Sequence, residues 1–149
     1  MAMAKKLEGA GLRGQIAGKT ALSTVGKTGS GLTYRGYDIK DLAEHCQFEE
    51  VAYLILKGHL PNGAELATYK NKLKGLRGLP KALKEVLERI PATSHPMDVL
   101  RTGCSFLGNI EPEADFSQQQ DVTDRMLAVF PSLICYWYRF SHDNLRIDT

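Results

Sequence analysis

Residues 17–44 read AGKTALSTVGKTGSGLTYRGYDIKDLAE, and the order of residue types in this stretch decides the fold. Thr20–Val25 and Leu32–Tyr34 are two short runs that favour β structure. Gly26–Gly31 between them is glycine-rich and can take the positive φ angles that a hairpin turn needs. Tyr34-Arg35-Gly36-Tyr37-Asp38-Ile39 is then expected to swing the chain into a helix. Asp38 or Asp41 marks its start, and Asp41 and Glu44 have capping-box spacing. A small hairpin feeding directly into helices is the architecture this predicts.

Downstream the punctuation reads as one helix after another. The first runs from about Asp38 to His45. The second spans about Glu49–Lys57 with Val51, Leu54 and Ile55 inward, closed by Gly58 and Pro61. The third covers about Gly63–Leu76. The fourth starts with Pro80 in its first turn, carries Leu83, Val86, Leu87 and Ile90 on one stripe, and stops at Pro91. Ser94 is the expected N-cap of a fifth helix reaching Leu107, and Glu111–Ser117 is the one loop long enough to be mobile. A sixth helix covers about Gln118–Ser141. Between Met126 and Tyr138 its apolar residues run almost all the way round, so it must be covered on several sides. Pro131 in its interior removes one backbone hydrogen bond and is expected to kink it.

With 149 residues, 43% apolar and a net charge of +2, the chain has the composition of an ordinary soluble domain. The basic residues are scattered, which argues against a nucleic-acid partner. Lys70, Lys72, Lys74, Arg77, Lys81 and Lys84 come nearest to a basic face, and they read as a solvated helix surface. Cys46, Cys104 and Cys135 are odd in number and fall in predicted helices, which fits a reducing compartment rather than a disulfide framework. Residues 1–17 are charged, lack the apolar core of a signal peptide, and are expected to form a flexible arm. The longest apolar run, Met126–Tyr138, is too short to span a bilayer. A cytoplasmic protein without membrane contact is the expectation.

Three blocks add to the opening stretch: Phe48–Pro61, Ala92–Gly103 (ATSHPMDVLRTG) and Ala128–Arg139 (AVFPSLICYWYR). Together, in this order and spacing, they resemble the N-terminal part of the citrate synthase family, most closely its 2-methylcitrate synthase branch. The resemblance runs from about Gly18 to the end of the chain. It implies a mainly α fold, the N-terminal part of the family's large helical domain, preceded by the small hairpin. It also implies condensation of propionyl-CoA, or acetyl-CoA, with oxaloacetate and water to give 2-methylcitrate, or citrate, and CoA. Two histidines and an aspartate do this chemistry in the family, well C-terminal of the region matched here, and nothing up to Thr149 matches the family's Gly-Pro-x-His-Gly-Gly-Ala-Asn or Gly-x-Gly-His-x-Val-Tyr blocks. The catalytic residues are therefore expected beyond Thr149, and this polypeptide alone is expected to be inactive. No metal or cofactor is implied. A homodimer formed through the Met126–Tyr138 helix is implied, since the corresponding region lies near the family's dimer interface.

Each candidate site has a plainer reading. Gly-Lys-Thr occurs at 18–20 and 26–28, but a phosphate loop needs a glycine five residues earlier, where Arg13 and Ala21 stand. His45, His59, His95 and His142 have no spacing that suits a metal. His95 reads as part of a helix entry, and Arg35 as an anchor for the hairpin more than a carboxylate clamp, with Gly36 allowing a close backbone approach. Tyr136, Trp137 and Tyr138 are consecutive on a helix and cannot form one flat platform, so core and interface packing accounts for them. Lys74 aligns with a basic substrate contact of some family members, against the plainer reading of an exposed helix lysine. Besides the two synthases, a non-catalytic helical interaction module remains a reading of another class.

Overall fold

The computed structural model describes residues 18–26 and 31–149. The expected N-terminal arm, and Lys27–Ser30 of the glycine-rich turn, lie outside the described residues. The chain divides into two compact units, Met1–Pro61 and Asn62–Thr149.

In the first unit, β1 (Ser23–Thr24) pairs antiparallel with β2 (Thr33–Tyr34), with Ser23 opposite Tyr34 and Thr24 opposite Thr33. This is the expected hairpin. A third strand, β3 (Tyr37–Asp38), was not expected; it pairs antiparallel with β2 and places Tyr37 opposite Tyr34. The loop between them is Arg35-Gly36, with φ of 50° and 92°, the double positive φ of a tight hairpin turn. A Cβ on Gly36 would meet nothing within 4 Å, so glycine is needed there for its φ and not for a close approach.

Asp38 caps α1 (Ile39–His45), accepting from the Lys40 amide at 2.8 Å, while Asp41 lies in the first turn. α2 (Phe48–Lys57) begins with a capping box between Gln47 and Glu50 and ends on Gly58, at φ 94°. Leu54 is fully buried, and Val51 and Ile55 are half-buried.

In the second unit, Asn62 caps α3 (Gly63–Gly75) through a capping box with Glu65. α4 (Lys81–Leu87) is shorter than its stripe suggested: Pro80 is its N-cap, and Ile90 packs on the core from beyond the helix end. α5 (Pro96–Ile110) is capped by His95 rather than Ser94, the imidazole Nδ1 accepting from the Met97 amide at 3.2 Å. A 3-10 turn at Phe116–Gln118 leads into α6 (Gln119–Asp143), which passes through Pro131 as one helix.

α6 packs against α3, α4 and α5. Leu83, Leu87, Val99, Leu107, Val129, Leu133 and Trp137 form the core that α6 shares with α4 and α5. On α6, Ala128, Val129, Leu133, Tyr136 and Trp137 are buried, whereas Pro131, Cys135 and Tyr138 face outward. Tyr136 donates to Glu88 Oε1 at 2.7 Å and Trp137 Nε1 to the Ile90 carbonyl at 3.3 Å. Tyr138 instead stacks on His142, ring centres 4.2 Å apart. The three consecutive aromatics thus form no common platform, as the helical period requires. No helix among the described residues is long and apolar enough to cross a membrane.

Candidate functional site

The polar chemistry of the second unit gathers where the C-terminal half of α3 meets the first turns of α6. Tyr69 and Leu73, four residues apart, are the buried face of α3. Lys72 flanks that face and reaches α6, its ammonium 2.8 Å from Asp121 Oδ1 and 2.7 Å from Asp124 Oδ2. Hydrogen bonds to Asp121 and then Asp124 raise the pKa of Lys72 above its ordinary value, outweighing its partial burial.

Asp124 is 1% exposed and therefore needs partners. It has them: the Tyr69 hydroxyl donates at 3.0 Å and Gln120 Nε2 at 3.3 Å, besides Lys72. Arg125, the next residue, turns to another side. Its Nε and Nη2 fork onto Glu111 at 2.9 and 2.8 Å, and its Nη1 donates to the carbonyls of Leu76 and Gly78. The guanidinium holds the Glu111 carboxyl below the usual carboxylate range.

Beside this pair lies an open groove of about 450 Å³ whose wall is largely apolar, with Leu76, Cys104, Leu107, Val122 and Met126 among its lining. Lys74 stands on the last turn of α3, exposed, and its ammonium has no partner among the described residues. Thus the structure draws Lys72, which the sequence grouped with solvated lysines, into a paired seam, and leaves Lys74 free to meet a ligand or solvent.

The remaining candidates have settled places. Arg35 Nη2 donates to the Ile55 carbonyl at 2.8 Å, tying the β2–β3 turn to α2. His95 serves as a helix cap, and His59 faces Tyr53 edge-on with ring centres 5.4 Å apart. No cluster of three or more His, Cys, Asp or Glu suited to a metal occurs among the described residues. Asp124, Arg125 and Glu111 escaped the sequence reading because, apart from Gln120 four positions before Asp124, their partners lie 14 to 55 positions away.

Paired carboxylates, a buried tyrosine hydroxyl and a forked arginine hold helices in place; they offer no nucleophile beside a base. The class this defines is a mainly helical scaffold, and solved structures share its fold. Citrate synthase from Thermotoga maritima superposes on 90% of this chain and 35% of its own with a TM-score of 0.78, at 29% identity.

The family model for "Citrate synthase, C-terminal domain" matches residues 11–149, and the chain belongs to the citrate synthase family. It is 74% identical over 149 residues to 2-methylcitrate synthase of Shewanella oneidensis, a match covering 100% of this chain and 40% of that protein. It is 40% identical over 125 residues to 2-methylcitrate synthase of Mycobacterium tuberculosis, covering 83% of this chain and 32% of that protein. The chain thus spans about 40% of the length of the first of these curated relatives.

Proposed function

We propose that the chain is the N-terminal scaffold portion of a 2-methylcitrate synthase. Although the matching family model carries the words "C-terminal domain", the blocks found here are ones that precede the catalytic histidine and aspartate motifs. The complete enzyme removes a proton from the α-carbon of propionyl-CoA and joins that carbon to the carbonyl carbon of oxaloacetate. Water then cleaves the thioester, releasing 2-methylcitrate and CoA, with no metal or prosthetic group. The observation that carries this reading is 74% identity along the whole chain to a protein of that activity.

The finer parts of the reading follow. Lys74, exposed and unpaired among the described residues, contacts a substrate carboxylate or phosphate. The outward face of α6 around Tyr138, which is 51% exposed, is the homodimer contact. The protein works in the cytoplasm, in propionate catabolism.

The test is the complete reading frame, expressed and assayed for CoA release with oxaloacetate. Faster turnover of propionyl-CoA than of acetyl-CoA is expected; the reverse order makes it a citrate synthase of the tricarboxylic acid cycle. A reading frame ending at Thr149 would make it a non-catalytic module. CoA release by the 149-residue polypeptide at an enzymatic rate would overturn the placement of the chemistry beyond it. For Lys74, Lys74→Ala should raise KM with little change in thermal stability, and an unchanged KM returns it to the solvated helix surface.

A further inference from the structure

The last residues of the chain are tied down beside the groove. α6 ends at Asn144, whose left-handed backbone (φ 53°, ψ 35°) turns the chain back, with the Leu145 amide donating to the Arg139 carbonyl at 3.1 Å. Arg146 then forks onto Glu88 at 2.7 and 2.8 Å, and Ile147 packs against the core. Thr149 Oγ1 accepts from the Leu79 amide at 3.2 Å. The Thr149 carbonyl lies 3.7 Å from where a Cβ on Gly78 would sit, and the Gly78 carbonyl accepts from Arg125 at 3.0 Å. Arg125 and Leu76 are both part of the groove wall. The end of the described chain and the rim of the groove therefore share the Leu76–Leu79 segment.

We infer that the groove seats apolar side chains of the segment that directly follows Thr149 in the complete protein. The inference rests on the reading that the chain belongs to a longer enzyme, of which it spans about 40% by comparison with the Shewanella relative. Three observations carry it. The charged groups at the rim are already engaged, Arg125 by Glu111 and two carbonyls, Asp121 by Lys72. What the groove asks of an occupant is apolar surface, and Val122 on its wall is still 37% exposed. The chain is delivered to the rim by ties at Arg146, Ile147 and Thr149. About ten further residues, extended, reach roughly 33 Å, enough to cross a groove of this size. A tethered segment also enters at an effective concentration in the millimolar range, ahead of a free second copy.

The experiment uses the complete protein with Val122 replaced by the photo-crosslinking amino acid p-benzoylphenylalanine. After irradiation and digestion, cross-links should fall within about twenty residues after Thr149, in the same chain when isotopically light and heavy protein are mixed. Cross-links to residues 1–17, to a distant part of the protein or to a second copy overturn the proposal, as does a reading frame that ends at Thr149. A second variant, Gly108→Leu, fills the groove from an exposed position where a Cβ meets nothing within 4 Å. Proteolysis of the segment after Thr149 should accelerate about fivefold or more; an unchanged rate overturns the proposal. CoA release from propionyl-CoA by the unsubstituted protein separates the two failures. Activity with cross-links elsewhere sinks the inference alone, and lack of activity sinks the function it rests on.

Discussion

Gly103 of α5 and Leu133 of α6 meet so closely that a Cβ placed on Gly103 would lie 2.3 Å from Leu133 Cδ1 and 3.1 Å from its Cγ. Leu133 has no exposed surface and so no free volume into which to retreat. Gly103→Ala should therefore destabilise the protein by about 1–2 kcal/mol, the overpacking cost exceeding the gain of about 1 kcal/mol in helix propensity. Equilibrium unfolding in denaturant checks this. Adding Leu133→Ala should cost less than the sum of the single changes, because the cavity it opens admits the new methyl group.

The tie between Glu88, Arg146 and Tyr136 gives a pH dependence of known sign. Arg146 first, and then the Tyr136 hydroxyl, lower the Glu88 pKa from 4.5 to about 2. Stabilisation from a carboxyl so lowered is complete above its unfolded-state pKa and is lost as the pH falls towards the folded-state value. The window is therefore about pH 4.5 down to about 2. Glu88→Gln should melt below the parent protein near neutral pH, and the gap should close as melting is repeated towards the bottom of this window. A gap that stays constant with pH would contradict the assignment.

Arg35 joins two opposed effects. Its φ of 50° is one that glycine adopts more readily, while its guanidinium holds the Ile55 carbonyl. Arg35→Gly relieves about 1 kcal/mol of backbone cost and loses a charged hydrogen bond worth about 1.5–3 kcal/mol. A net loss is expected, read as faster amide exchange in α2. A variant with slower exchange than the parent protein would show that the backbone term dominates.

His95 caps α5 through an imidazole nitrogen that accepts from Met97. His95→Ala should cost about 1 kcal/mol, and His95→Asn, which restores a capping oxygen, should recover most of it. The Met97 amide is the reporter: its exchange should quicken in the alanine variant and return towards the parent rate in the asparagine variant.

What could be read from the sequence was local. Gly58 ends α2 where a glycine after a helix belongs, and the positive φ it adopts is the physical reason. The β1–β2 pairing was legible from two β-favouring runs around glycines. Strand β3 was not, because an arginine at the first positive-φ position is not a usual hairpin signal, and Tyr37-Asp38 is too short to show alternation. Ser94 looked the better cap by residue type, yet the helix starts one residue later, where Pro96 can occupy its first turn. In the candidate site, Lys74 was singled out through family resemblance and Lys72 set among solvated lysines. Only the approach of α3 to α6 shows that Lys72 closes a seam with Asp121 and Asp124.

Arg125 has a consequence for how the second unit deforms. One planar guanidinium, with five N–H donors in a rigid fork, is bonded at once to the peptide after α3 and to the first residue past α5. The loop leaving α3 cannot shift without tilting that plane, and the tilt breaks the fork on Glu111. Displacement at one helix end is thereby transmitted to another that is distant in sequence. A lysine, with a single ammonium on a flexible stem, would let the two ends move independently.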